Sequence, residues 1–155
     1  MQPHTLDTRM TAPVSVREAF AVFQDPYNLA RTTPPWLHFQ VTSKERVTMR
    51  RGAEITYRIR WMGFPIAWRT LITEYDPPCG FVDEQVAGPY VLWRHRHTFA
   101  AGDAGTLVAD HVDYILPLGW LGRLAHRLLV RRQLEAIFAY RRAALARMWN
   151  SPPRG

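Results

Sequence analysis

Cysteine and lysine are almost missing from this chain of 155 residues: Cys79 is the one cysteine and Lys44 the one lysine. A single thiol excludes an internal disulfide and suits a reducing compartment. Cys79 follows two prolines in a turn, away from any identifiable base, which argues against a thiol nucleophile. No apolar run reaches the length of a membrane span, and the opening MQPHTLDTRM has no apolar core of a signal peptide. Repeats, low-complexity segments and linkers are also missing. The expectation is therefore a single domain over residues 1–150, a frayed tail at 151–155 and a cytoplasmic location.

Positive charge is what the chain has in excess, with a net charge of +7 carried almost wholly by arginine. No Lys/Arg block is longer than two residues and no nucleic-acid motif accompanies them, so nucleic acid is not an expected partner. With 47% hydrophobic and 21% charged residues, the chain has the composition of an ordinary globular domain with a real core.

The longest helical signal runs from Trp120 to Trp149, free of proline. Its apolar residues fall on two stripes. Leu121, Leu124, Ala125 and Leu128 form one; Val130, Leu134, Ile137, Phe138, Leu145 and Met148 form the other, rotated from the first. A short leading helix, a kink near Leu129–Arg131 and a long helix explain the change of face. Arg141 falls within the second stripe.

Before this run the period is mostly two. His4–Met10 reads as a first strand, and Ser15 with Glu18 three residues on fits a capping box for a short helix. Asp25-Pro26 ends it, a second short helix follows through Leu29 and Ala30, and Pro34-Pro35 breaks the chain. Leu37–Ser43 is the next expected strand, with Arg46–Arg50 irregular or another short one. Ile55, Tyr57, Ile59 and Trp61 alternate with polar residues, and after a turn at Met62–Pro65 the face continues through Trp68, Thr70 and Ile72. Phe81–Val86 is a further strand, and Val91–Ala100 and Thr106–Leu116 form a hairpin across Ala101–Gly105.

This order predicts an α+β helix-grip fold, in which a curved antiparallel sheet of about seven strands wraps the C-terminal helix, with two short helices after the first strand. The helix cannot reach every inward side chain of such a sheet, which leaves an internal pocket. The order of elements resembles the SRPBCC superfamily, which holds START lipid-transfer domains, the birch-pollen-allergen group, coenzyme-Q-binding proteins and polyketide cyclases. Phe81–Gln85 followed by Gly88–Tyr90, then Trp93 to Phe99, then Gly105 to Pro117 are similar to its stand-alone bacterial members. The resemblance implies a hydrophobic ligand in the pocket and carries over no catalytic motif.

Strand alternation places Trp93, His95, His97 and Phe99 on one face and Arg94, Arg96 and Thr98 on the other. On the partner strand Val108, Asp110, Val112, Tyr114 and Leu116 share a face, so Asp110 meets His95 or His97 directly or diagonally. Three readings stay open for this cup. It is a self-satisfied His–Asp hydrogen-bond network. Or His95, His97, Asp110 and Tyr114 orient the polar head of an apolar ligand. Or an Asp-oriented His is a general base, or His-x-His with Asp a two-His, one-carboxylate metal site. No metal and no cofactor are expected. Arg141 either reaches the rim, pairs with Asp83 or Asp110, or forks onto a ligand carboxylate or phosphate. Asp83 and Gln85 share the inward parity of Phe81, and Tyr57, Ile59, Trp61, Trp68, Thr70, Leu134 and Phe138 complete the expected wall.

The function expected is binding of a hydrophobic small molecule, a lipid, quinone or polyketide-like compound, as carrier or sensor. The alternative is a polyketide-cyclase-like enzyme using His95 or His97 with Asp110. A further alternative is a basic module that docks on an anionic membrane or a partner through the outward arginines Arg58, Arg60, Arg69, Arg94 and Arg96. The balance is against an enzyme, and the oligomeric state stays open.

Overall fold

The structure is a computed structural model that describes residues 3–150; the tail at 151–155 lies outside them. Strand β1 (His4–Ala12) alternates half-buried and exposed residues, as a period of two requires. Helix α1 (Val16–Phe23) opens on the capping box: the Ser15 hydroxyl accepts from the Glu18 N–H and the Glu18 carboxylate accepts from the Ser15 N–H. Asp25 then accepts from the Tyr27 N–H to start a short 3-10 turn (Pro26–Asn28), and α2 (Leu29–Thr32) follows.

The strand expected over Leu37–Ser43 shrinks to β2 (Gln40–Val41). Pro35–Leu37 is instead a 3-10 turn, closed by the Leu37 N–H on the Pro34 carbonyl and ended by His38 in the left-handed region at φ 46°. Paired prolines preset that turn and withdraw two donors from any ladder. Arg46–Arg50 is irregular.

Strands β3 (Glu54–Trp61) and β4 (Phe64–Asp76) form a hairpin that is tighter than expected. Phe64 and Pro65 belong to the ladder opposite Trp61 and Arg60, and only Met62 and Gly63 turn. Both have positive φ, 51° and 84°, the backbone of a two-residue turn that matches strand twist. Strands β5 (Gly80–Ala87), β6 (Leu92–Gly102) and β7 (Gly105–Ile115) complete the sheet. The β6–β7 turn is likewise two residues, since Ala101 pairs with Thr106 and Gly102 with Gly105. All neighbours are antiparallel in the order β1-β7-β6-β5-β4-β3-β2.

Helix α3 (Gly119–Ala125) leads through a π-turn (His126–Val130) into α4 (Arg131–Asn150). The wider π-turn is the expected kink, and it shifts the helical phase between the two apolar stripes. Only the second stripe is inside. Val130, Leu134, Phe138 and Leu145 are buried in the sheet's concave face, whereas Leu121, Leu124, Ala125 and Leu128 are exposed. The side of α3 that meets the protein is thin: Gly122, which an added Cβ would bring 2.1 Å from the Pro117 carbonyl oxygen, and buried His126 beyond it.

The core has two clusters. One joins Phe20 and Phe23 of α1 to Ile55, Ile72, Phe81, Phe99, Val108 and Leu145; the other joins Trp68, Trp93, Val112 and Tyr114 to Val130, Leu134 and Phe138. This is the helix-grip architecture.

Candidate functional site

A cavity of about 180 Å³ lies between sheet and helix, with walls drawn from both clusters. A second of about 210 Å³ adjoins it, sharing Ile59, Trp68, Tyr90, Leu134 and Ile137. Together they reach the scale of a small-molecule site, on the order of 300 Å³ upward.

Of the wall residues expected from sequence, Tyr57, Ile59, Trp68, Thr70, Phe81, Asp83, Trp93, His95, His97, Leu134, Phe138 and Arg141 line the first cavity, and Trp61 lines the second. Six others do not. Phe99 and Val108 face each other across the β6–β7 ladder and are covered by α1, with Phe20 and Phe23 edge-on to Phe99 at 5.4 and 5.0 Å. Val112 is packed into the second cluster. Tyr114 turns its hydroxyl to His126 Nε2, 2.8 Å away, and so leaves the cup. The Gln85 amide clamps the Tyr90 backbone, donating to its carbonyl at 2.7 Å and accepting from its N–H at 3.2 Å. Asp110 is buried behind the two imidazoles rather than exposed to the cavity. Ile55 and Ile72 of the alternating strands and Ile137 of the second stripe line the cavity as well; the walls that sequence pattern missed include Phe23, Leu29, Leu37, Phe39, Met49 and Tyr90. They come from helices, turns and irregular chain, where no strand period marks an inward side.

The polar end of the cavity is a ring of four side chains. In β6, alternation points His95 and His97 inward, and their ring centroids lie 3.8 Å apart. Register puts Asp110 opposite His97 on β7, and Asp83 opposite His95 on β5. His95 Nε2 donates to Asp110 Oδ1 at 3.0 Å, and His97 Nε2 donates to Asp83 Oδ2 at 3.0 Å. His97 Nδ1 lies 2.8 Å from Asp110 Oδ1, a close charged contact. His95 Nδ1 is 3.7 Å from Asp83 Oδ2.

The two imidazoles are driven apart in charge. Burial opposes protonation of His97, but the hydrogen bonds and charges of Asp110 and Asp83 outweigh it and raise its pKa. Burial, then repulsion from His97, lowers the pKa of His95 despite the same two acids. Burial also opposes ionisation of both carboxylates. The hydrogen bonds from His95 and His97 overcome it and hold Asp110 well below the usual range. The His97 bond, both imidazole charges and the Arg141 charge together lower Asp83. These directions favour ionised carboxylates and a proton on His97 rather than His95, with Arg141 a further positive charge acting on Asp83.

Arg141 makes no ion pair with Asp83 or Asp110 among the described residues. Its guanidinium carbon lies 5.0 Å from the Phe23 ring centroid, and its buried Nε has no acceptor. Trp68 Nε1, also in the wall, is buried without an acceptor too. Asp83, His95 and His97 offer ligand atoms within 4.8 Å of one another, a set fit in type for a divalent metal, but both Nε2 atoms are already engaged by carboxylates.

Residues 12–138 match the family described as polyketide cyclase / dehydrase and lipid transport. The chain belongs to that family. Polyketide cyclase/dehydrase and lipid transport domains of this helix-grip superfamily bind hydrophobic ligands, and the aromatic cavity is in keeping with that. Solved structures agree on the fold. Protein CV1439 from Chromobacterium violaceum superposes with a TM-score of 0.75 at 14% identity, covering 97% of this chain and 100% of that one. Ginseng major latex-like protein 151 from Panax ginseng gives 0.72 at 10% identity, covering 97% and 100%. Protein Ms6760 from Mycobacterium smegmatis gives 0.68 at 17%, covering 93% and 89%. At such identities the likeness concerns fold alone. No curated protein matches the sequence. No helix among the described residues is long and apolar enough to cross a membrane.

Proposed function

We propose that this domain is a carrier or sensor of a hydrophobic small molecule whose polar head presents oxygen acceptors, such as a carboxylate or a conjugated carbonyl. The observation that carries this reading is two buried donors without acceptors, Arg141 Nε and Trp68 Nε1, in the wall of the mainly apolar cavity. Buried donors almost always find a partner, because an unmet one costs about 1–3 kcal/mol. Ligand oxygens accepting from each would relieve both, while Tyr57, Ile59 and Phe138 enclose the apolar body. Arg141 forms no ion pair among the described residues, so its guanidinium is open to an acidic head.

The test compares laurate with dodecanol by calorimetric titration. Laurate is expected to bind, and Arg141→Met to weaken it about tenfold or more, the weight of a charged hydrogen bond. Dodecanol binding should barely change. Equal binding of acid and alcohol, or none of either, overturns the reading.

One observation favours a second reading, proton abstraction. His95 lines the cavity as a neutral imidazole whose Nε2–H is held by Asp110, which leaves the Nδ1 lone pair as the base. His97 is the less suited base, because its Nε2 is held by Asp83 and the two acids favour its protonated form. Deuterium exchange at the acidic C–H of a hydrophobic 1,3-diketone, followed by NMR, tests it. Exchange accelerated by the native protein and lost in His95→Gln supports a cyclase-like activity; exchange at the buffer rate excludes it.

A further inference from the structure

Helix α3 carries an apolar stripe on the side turned away from the protein. Leu118, Trp120 and Leu128 are 65 to 75% exposed, and Leu121 and Leu124 are 48% exposed. A helix that packs on its own domain normally turns such residues inward. Here the inward side is taken by Gly122, His126 and Val130, so the leucines and the tryptophan stay half or more exposed among the described residues. The β3–β4 turn adds Met62 and Phe64, 64 and 73% exposed. Turn and helix stand at one end of the molecule. Trp61 and Ile66 from the hairpin line the second cavity with Pro117 and Val130, and the Trp61 indole donates to Gln133 of α4. Two apolar projections thus flank the cavity that leads inward to the His–Asp ring.

The charge around this end is mostly positive. From Leu116 to Leu134 the sequence holds four arginines and no acidic residue. Arg127 and Arg132 are exposed and form no ion pair among the described residues, as does Arg60 beside the hairpin turn. Among the described residues Arg131 forms an ion pair with Glu135 alone, and both side chains are at least half exposed, so the pair is weak. The convex sheet face is different. Arg94 bonds Glu74 and Glu84, Arg96 bonds Glu74, Arg58 bonds Gln40, and Arg69 lies 3.9 Å from Glu54. Its arginines are largely occupied, so that face is a poor anion-binding surface.

We propose that the α3 end, with the Met62–Phe64 turn, docks on an anionic lipid bilayer. A Trp/Leu stripe edged by free arginines is the composition of a helix lying in the membrane interface. The apolar side chains enter the acyl boundary, tryptophan sits at headgroup level, and guanidinium groups meet lipid phosphates. Docking in this pose sets the second cavity against the bilayer, and a hydrophobic molecule passes between lipid and protein without crossing water. The surface stands on its own residues and does not require any one ligand head.

Flotation with vesicles of phosphatidylcholine alone and of phosphatidylcholine with phosphatidylglycerol tests the proposal. The protein should float with the phosphatidylglycerol vesicles and release as salt rises. Leu121→Glu combined with Leu124→Glu should cut partitioning at least about tenfold, because two interface leucines are lost. Arg127→Glu with Arg132→Glu should abolish the preference for phosphatidylglycerol. All four positions are exposed, so far-UV circular dichroism and melting temperature should match the native protein. Laurate binding by the leucine double variant should also be native, which separates this surface from the pocket. Failure to float with either vesicle, or equal flotation of the leucine variant, overturns the proposal. So does a native dimer that Leu124→Glu splits into monomers while vesicles are ignored, since the stripe would then be covered by a second copy.

Discussion

Asp110 Oδ1 serves both histidines of β6: it lies 3.0 Å from His95 Nε2 and 2.8 Å from His97 Nδ1. One carboxylate oxygen on β7 is thus shared between two imidazoles on the next strand, while Asp83 on β5 holds the other side of His97. Three adjacent strands are tied through one buried polar ring. In a low-dielectric interior such a ring is strongly coupled, and removing any one member leaves charge behind.

Asp110→Asn should therefore be among the most damaging isosteric changes in the protein. It keeps shape but removes the charge that lets His97 stay protonated in the core. A loss of about 3–5 kcal/mol is expected in urea unfolding, the usual cost of stranding a buried charge. His97 should titrate at lower pH in imidazole NMR spectra. The double variant Asp110→Asn with His97→Phe should lose less than the two single losses added, since no imidazolium is then stranded.

The opposed shifts of the two histidines set a stability optimum. His97 is raised in the fold, so its contribution is full below its ordinary value of 6.5 and is lost as pH rises through its folded pKa. His95 is lowered, so below 6.5 the unfolded chain takes a proton that the fold resists, and stability falls with falling pH. Asp83 and Asp110 are depressed; their contribution is full above 3.8 and lost as pH drops through their folded values. Stability should peak near 6.5 and decline on both sides. His111, raised chiefly by its hydrogen bond to Asp7, adds a weaker alkaline decline because both side chains are well exposed. Urea midpoints across pH in a His111→Asn background isolate the ring. His97→Asn there should flatten the alkaline limb, and an undiminished decline would refute the imidazolium.

Much of this arrangement was legible in the residues. Period-two runs in β3, β6 and β7 mark their inward faces, and the two-residue turn joining β6 to β7 sets Asp110 opposite His97, where a five-residue turn would have set it opposite Arg96. The Ser15–Glu18 box marks α1, and the phase slip after Leu128 marks the π-turn. What periodicity cannot read is which inward residue another element covers. Phe99 and Val108 have pocket parity but lie under α1, and Tyr114 is drawn to His126 from a helix whose angle no local pattern encodes. The first apolar stripe, which is exposed, shows the same limit. Amphipathicity says that a face seeks cover and is silent on whether the domain itself supplies it.

Gly80 supports the ring from behind. A Cβ there would lie 2.4 Å from the His97 carbonyl oxygen, a backbone atom that cannot swing aside. Gly80→Ala should push β5 off β6 at the pair that carries Asp83 and His97, at a cost of about 1–3 kcal/mol by thermal unfolding. Imidazole resonances of His97 should move with it. Gly102→Ala is the control, since its Cβ would meet nothing closer than 3.6 Å.

Arg141 should behave as a residue kept for binding rather than for stability. Its Nε is buried without an acceptor, and an apolar replacement of similar length removes that unmet donor. Arg141→Met is therefore expected to melt at or above the native temperature at neutral pH, although laurate binding falls. A second signature separates this from mere tolerance at a loose site. After burial, the His97 bond and the imidazole charges, Arg141 adds the last downward push on Asp83. Without it the folded pKa of Asp83 rises, and the acid limb of the stability profile begins at a slightly higher pH. A variant that loses stability at neutral pH and leaves the acid limb unmoved would assign Arg141 to the scaffold instead. Gain in stability with loss of binding is the pattern of a polar group held in a wall for what enters the cavity.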